Sequence, residues 1–89
     1  MEIISFDEIW NRIVSNEGQI FKTKTGKEFI YSVINNGIVT NRTNYILSKN
    51  DIKKVFNIMP VEGPGRINDL VRGPAYIWAI LNDNRIVKK

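Results

Sequence analysis

Residues 19–40, which decide the fold, read QIFKTKTGKEFIYSVINNGIVT. Apolar and polar residues alternate through much of this stretch, and a period of two is typical of strands with one buried face. Thr25-Gly26 interrupts the alternation and predicts a two-residue hairpin turn that joins strands over Gln19–Lys24 and Lys27–Ile34. A second turn at Asn35-Asn36-Gly37 reverses the chain again. The stretch therefore predicts antiparallel pairing.

Two further short runs of strand-forming residues extend the same pattern. Ile38–Thr40 follows the second turn, and Tyr45–Leu47 follows the polar stretch Asn41–Asn44. Strands that are joined by short polar turns usually pair with their neighbours in sequence. We therefore predict an antiparallel meander of three or four strands.

A helix is predicted on each side of the meander, and each begins with a capping box. Ser5 precedes Glu8, and Ser48 precedes Asp51, so each hydroxyl can accept from a backbone amide of the first turn. Apolar residues then recur at helical spacing, namely Phe6, Ile9, Trp10, Ile13 and Val14 in the first segment and Ile52, Val55, Phe56 and Met59 in the second. The residues predicted for the core of the helices are Trp10, Ile13, Val55, Phe56 and Ile80.

The last third of the chain contains a short amphipathic run, a break and an apolar run. Arg66–Arg72 places its apolar residues on one side and predicts a short helix. Gly73-Pro74 then breaks the chain, and its proline suits the first position of another helix. Ala75–Leu81 is apolar throughout, so periodicity alone does not separate helix from strand. The preceding proline and the two alanines favour a helix. Arg85–Val87 could add a short edge strand.

These elements predict an α+β fold in one domain, residues 1–89. It consists of an N-terminal helix, an antiparallel meander of three or four strands, and two or three C-terminal helices packed on one face of the sheet. A chain of 89 residues suits a single core. No segment approaches the ~18 apolar residues needed to span a bilayer. Met1–Ser5 lacks the basic start and long apolar core of a signal peptide, so a cytoplasmic location is expected.

The chain contains neither cysteine nor histidine, which excludes several kinds of chemistry. Disulfides, thiol nucleophiles and zinc fingers require cysteine, and the common acid–base and triad mechanisms require histidine. The acidic residues show no paired-carboxylate or calcium-loop pattern. Glu62-Gly63-Pro64-Gly65 matches neither a Walker loop nor a dinucleotide fingerprint. We therefore predict a binding domain that is not an enzyme and uses no metal or cofactor.

The charge of the chain points to nucleic acid as one possible partner, because the formal net charge is +4 and the pI is near 9.6. Lys22, Lys24 and Lys27 surround the predicted hairpin tip. With a two-residue turn they would share one side of the ribbon with Phe29 and Tyr31. Platforms of this kind track phosphates with lysines and stack bases on rings. The alternative is that Phe29 and Tyr31 face the core while the lysines keep the tip soluble.

A second candidate site lies in the segment Arg66–Asn84, which has the outline of a helix-turn-helix. Arg72 and the start of the second helix would then hold a phosphate. That second helix carries Tyr76, Ile77 and Trp78, whereas a DNA-reading helix normally has a polar face. A core helix or a homodimer contact is therefore favoured.

Two functions are predicted from these sites. The first is an accessory protein that binds DNA or RNA, and the second is a protein-interaction or self-association module that acts through the apolar C-terminal helix. The residues of the first are Lys22, Lys24, Lys27, Tyr31, Arg66 and Arg72, and those of the second are Tyr76, Ile77 and Trp78.

Overall fold

The structure, a computed structural model, describes residues 4–88 and confirms the predicted α+β class. Residues 1–3 and 89 lie outside this range, and with them part of the Met1–Ser5 start on which the expected location depends. The helices are α1 (Phe6–Ser15), α2 (Lys49–Ile58) and α3 (Pro74–Leu81), with a 3-10 helix at Pro64–Ile67. The strands are β1 (Phe21–Lys22), β2 (Glu28–Phe29), β3 (Tyr31–Ile34), β4 (Gly37–Thr40) and β5 (Leu47–Ser48).

The helices begin where the local sequence signals place them. Ser5 Oγ accepts from the Glu8 N–H at 3.3 Å, and Ser48 Oγ accepts from the Asp51 N–H at 3.1 Å. Each bond satisfies one of the amides that a helix start leaves without an internal partner. The third helix starts at Pro74, directly after Gly73, whose φ of 60° lies in the left-handed region. The helical alternative for Ala75–Leu81 is therefore confirmed.

The predicted two-residue turn is wrong, because three residues connect β1 and β2. The Thr23 N–H donates to the Lys27 carbonyl at 2.9 Å, so Lys24, Thr25 and Gly26 form the turn. Gly26 has a φ of 91°, as the last residue of a three-residue hairpin turn usually requires. One extra residue in the turn shifts the pairing by one and exchanges the faces of the second strand. Phe21 therefore pairs with Phe29, and Lys22 pairs with Glu28.

The strands form two small antiparallel sheets instead of one meander, β1-β2 and β3-β4-β5. The predicted strand Lys27–Ile34 is interrupted at Ile30, between β2 and β3. Asn41 binds the Ile30 backbone there: its Oδ1 accepts from the Ile30 N–H and its own N–H donates to the Ile30 carbonyl, both at 3.0 Å. The Asn41 side chain thus supplies one of the two hydrogen bonds of the Ile30 backbone, and the Asn41 backbone supplies the other.

The C-terminal third departs from prediction in three respects. The helix expected over Arg66–Arg72 is a 3-10 helix that starts earlier, at Pro64, and ends at Ile67. Arg85–Val87 is not a strand, because the N–H groups of Ile86 and Val87 fold back onto the Asp83 carbonyl. The later helices do not share one sheet face: α2 packs on β4 and β5, whereas α3 contacts β1 in the other sheet.

The core lies where the helices meet the inner faces of both sheets. Of the residues predicted for it, Ile13, Val55 and Ile80 are fully buried. Trp10 and Phe56 are only half-buried, because they pack against Phe6, itself half-buried, with ring centroids 6.5 and 5.7 Å from it. Other large buried side chains are Ile9, Phe21, Phe29, Tyr31, Ile38, Leu47, Ile52, Ile67, Ile77, Leu81 and Ile86.

Candidate nucleic-acid surface

The hairpin presents its lysines and its aromatic rings on opposite faces. Phe29 and Tyr31 are each only 1% exposed, whereas Lys22, Lys24 and Lys27 are exposed. This separation follows from the register set by the three-residue turn. The alternative interpretation, in which the rings face the core, is the one that the structure supports. The mixed platform of lysines and rings on one face is not formed.

Tyr31 serves a structural purpose at this position. Its hydroxyl donates to the Ile13 carbonyl, which ties β3 to the last turn of α1. Burial raises the pKa of the Tyr31 phenol well above its ordinary value, because the interior disfavours the phenolate. Its ring packs against Phe21 at a centroid distance of 5.3 Å and is not presented to a base in solution.

The hairpin tip is held against the loop that precedes the 3-10 helix. Lys24 Nζ donates to the Glu62 carbonyl at 3.2 Å and lies 5.8 Å from the centroid of the Trp78 ring. A Cβ added at Gly63 would lie 2.7 Å from the same ammonium, so the glycine makes room for the lysine. Arg66 joins this group through its ion pair with the Glu62 carboxylate at 3.2 Å. Lys24 and Arg66, which were predicted to bind nucleic acid, thus belong to one group with Trp78, which was predicted for self-association.

Next to this group, a cleft of about 420 Å³ lies between β1 and the C-terminal end of α3, and we call it the β1–α3 cleft. Its lining residues are Ile20, Lys22, Trp78, Ala79, Asn82, Asp83 and Arg85. Ile20 and the half-buried Trp78 provide apolar surface, and Ile20 is 56% exposed. The Trp78 indole N–H donates to the Val61 carbonyl at 2.9 Å, which fixes the ring orientation.

The far side of the cleft is fixed by an ion pair between Asp83 and Arg85. The guanidinium donates to both carboxylate oxygens at 2.8 Å and also to the Ile20 carbonyl at 2.8 Å. It lies 3.9 Å from the centroid of the Phe21 ring. These hydrogen bonds hold the pKa of Asp83 below its ordinary value, so the carboxylate stays ionised. Arg85 and Asp83 are thus already engaged with each other, and the pair adds no net charge to the cleft.

Sequence reasoning did not identify the Asp83–Arg85 pair as part of a site. The two residues stand just after α3, and their spacing is compatible with a local turn, because the Arg85 N–H also donates to Asp83 Oδ1 at 2.8 Å. This local turn can be recognised from the sequence. The contact between Arg85 and the Ile20 carbonyl beside β1 cannot, because it depends on where α3 packs.

The remaining predicted site residues are placed apart from the cleft or inside the core. Arg72 packs over the Tyr45 ring, with its guanidinium 4.0 Å from the centroid. Tyr76 meets Phe29 edge to face at 5.0 Å, and Ile77 is fully buried. Two residues of the predicted self-association surface, Tyr76 and Ile77, therefore pack within the chain. Of the apolar trio, Trp78 is the one that lines the cleft.

A second group of lysines lies on α2. Lys53 and Lys54 are exposed, and Lys54 Nζ is 3.7 Å from a carboxylate oxygen of Asp51. Lys49 Nζ lies 5.2 Å from the centroid of the Trp10 ring. This group equals the hairpin lysines in number and charge, but its aromatic neighbour belongs to α1.

Within residues 4–88, no cluster of three or more acidic side chains is arranged to hold a metal ion. Over the same range, no helix has the length and apolar character needed to cross a membrane. Comparison of the chain with models of known families, with curated proteins and with solved structures gave no match.

Proposed function

We propose that this chain is a cytoplasmic accessory domain that binds nucleic acid and catalyses no reaction. Its binding surface, which we call the hairpin–cleft surface, consists of Lys22, Lys24, Lys27, Arg66 and the β1–α3 cleft. The observation that carries the proposal is that Lys22 and Lys24 both lie near one tryptophan, Trp78. Lys22 shares the cleft with Trp78, and Lys24 Nζ lies 5.8 Å from its ring.

The chemistry of this surface suits a polyanion that carries aromatic groups. Lysines neutralise phosphates without reading sequence, and an indole offers a stacking face to any base. Lys22 and Lys27 project from an exposed hairpin, so reaching phosphates requires no rearrangement of the core. Tyr31 and Arg72 are left out of the proposed surface, because the first is buried and the second packs over Tyr45.

The dependence of affinity on salt tests the proposal. Single-stranded oligonucleotide binding is measured as salt rises, for the wild-type protein and for a variant with Lys22, Lys24 and Lys27 changed to Ala. Each phosphate contact on a single strand contributes ~0.7 to the log–log slope, so the triple variant should flatten it by about 2. Failure of the wild-type protein to bind any DNA or RNA at low salt would contradict the proposed function.

The matched control changes Lys49, Lys53 and Lys54 of α2 to Ala. Both triple variants lower the formal charge from +4 by three, to +1, so they remove the same net charge from different parts of the surface. The control should keep most of the wild-type slope. Equal flattening by both variants would show that net charge, and not the hairpin–cleft surface, determines binding.

Self-association is a second candidate, and the exposure of Ile20 beside Trp78 is the observation that favours it. The two apolar side chains line the same cleft, and a second copy of the chain could cover them. The trio predicted for this role is reduced to Tyr76 and Trp78, because Ile77 is buried. Analytical ultracentrifugation at high micromolar concentration distinguishes a homodimer from a strict monomer, and the monomer would contradict this candidate.

A further inference from the structure

The size of the β1–α3 cleft suits a small planar group. Sites for small ligands are typically ~300–1,000 Å³. The cleft, at about 420 Å³, falls in this range. Its lining combines three apolar residues with four polar or charged ones, and of the apolar residues Trp78 is half-buried and Ile20 is exposed. Because the indole N–H is bound to the Val61 carbonyl, the ring is held in place before any ligand arrives.

The charges around the cleft favour a ligand whose neutral part and anionic part are separate. Asp83 and Arg85 both line the cleft and neutralise each other in their ion pair, so they offer a phosphate no net positive charge there. Lys22 lines the same cleft but is exposed, and Lys24 and Lys27 stand further along the hairpin. A phosphate is therefore attracted to the lysines outside, while the interior accepts an uncharged aromatic group. A nucleotide within a strand has this division, with a neutral base and an anionic backbone.

We infer that the ligand of the hairpin–cleft surface is a single-stranded nucleic acid, one base of which enters the β1–α3 cleft beside Trp78 while the adjoining phosphates contact the hairpin lysines. This inference rests on the proposed function. A duplex keeps its bases paired and stacked, so it cannot place one against the indole without unpairing. A single strand presents unstacked bases, and stacking on aromatic side chains is its usual mode of recognition.

The two tryptophans of the chain allow a direct test by fluorescence. The variant Trp10→Phe leaves Trp78 as the sole tryptophan, and Trp78→Phe leaves Trp10, which lies on α1 against Phe6. Both are titrated at low salt with oligothymidylate, with oligouridylate of the same length, and with a DNA duplex. The single strands should quench Trp78 emission in the Trp10→Phe protein, whereas Trp10 emission in the Trp78→Phe protein should stay constant. Stronger quenching by one of the two single strands identifies DNA or RNA as the source of the ligand.

A binding measurement complements the spectroscopic one. Trp78→Ala should weaken single-strand affinity by between about fivefold and 150-fold, because a stacked base contributes on the order of 1–3 kcal/mol. Its effect on duplex affinity should be much smaller. If the Trp78→Ala protein does not fold, titration of the Trp10→Phe protein still tests the inference, because Trp10 does not line the cleft.

The outcomes separate this inference from the proposed function. Absence of binding to every nucleic acid overturns both. Salt-dependent binding without quenching of Trp78, or with equal affinity for single strand and duplex, overturns the inference and leaves the proposed function standing. Equal changes in Trp10 and Trp78 emission would indicate a global change in the protein and would also overturn the inference.

Discussion

At the scale of single residues, Tyr31 is the side chain that connects β3 to both β1 and α1. Its ring fills the core between Phe21 and α1, and its hydroxyl satisfies the Ile13 carbonyl at the end of that helix. The same carbonyl also accepts from the Asn16 N–H at 3.3 Å, so the phenol supplies one of its two hydrogen bonds.

The variant Tyr31→Phe tests this bond with almost no change in volume. We expect the free energy of unfolding to fall by ~0.5–1.5 kcal/mol, because one buried hydrogen bond is lost while the Ile13 carbonyl keeps the Asn16 N–H at 3.3 Å. Urea unfolding measures the loss. Tyr45→Phe is the control, since Tyr45 is half-buried beneath Arg72 and should lose much less. Equal losses in the two variants would contradict a structural role for the Tyr31 hydroxyl.

The raised pKa of Tyr31 also predicts a dependence of stability on pH. The folded state holds the phenolic proton more tightly than the unfolded state, whose tyrosine has the ordinary value of 10.0. Above that pH the unfolded chain binds fewer protons, so the free energy of unfolding falls as pH rises. The wild-type protein should lose stability more steeply than Tyr31→Phe above about pH 10. Parallel pH profiles for the two proteins would contradict the assignment.

At the scale of elements, the β1-β2 hairpin depends on the backbone conformation of Gly26. Its φ of 91° is one that side-chain-bearing residues rarely adopt, although nothing lies within 4 Å of an added Cβ. Gly26→Ala should therefore destabilise the fold by ~1–3 kcal/mol through strain alone. Gly65→Ala is the matched control, because its surroundings are equally open and its φ is not in the strained range. Thermal melting compares the two, and equal midpoints would contradict the assigned turn.

The start of α2 offers a second test at this scale. Ser48→Ala removes the acceptor of the Asp51 N–H and should lower stability by ~0.5–2 kcal/mol. Ser32→Ala, at an exposed position in β3, controls for the loss of a hydroxyl. Chemical denaturation is the measurement. A Ser48→Ala protein as stable as the Ser32→Ala protein would show that the cap contributes nothing.

At the scale of the whole molecule, the C-terminal segment closes the core. Ile86 is fully buried, and its carbonyl accepts from Arg12 of α1 at 3.0 Å. Ile86→Ala should lower stability by ~2–5 kcal/mol, a large part of the ~4–13 kcal/mol expected for a chain of this size. Ile58→Ala, at a side chain 51% exposed, should change stability by less than about 0.5 kcal/mol. A tolerated Ile86→Ala substitution, measured by urea unfolding, would contradict the placement of this segment.

The sequence by itself determined the type and the beginning of each of the three α-helices. The serine caps at Ser5 and Ser48 and the proline at Pro74 act on amides within three residues, so their effects can be read locally. The exclusion of cysteine and histidine chemistry likewise requires only the composition. The hairpin was recognised from the same kind of local signal, but its turn has three residues and not the predicted two. That single residue exchanged the faces of β2 and separated the rings from the lysines.

Only the tertiary structure decided which side chains form the candidate site. Lys24 meets Glu62 across 38 positions of sequence, and Arg85 meets Ile20 across 65. No local pattern encodes such contacts, because they depend on how α3 packs against β1. Trp78 was assigned to a separate apolar helix surface, yet packing places it near both Lys22 and Lys24. Capping and periodicity act over a few residues, whereas a binding surface is assembled by the burial of the whole core.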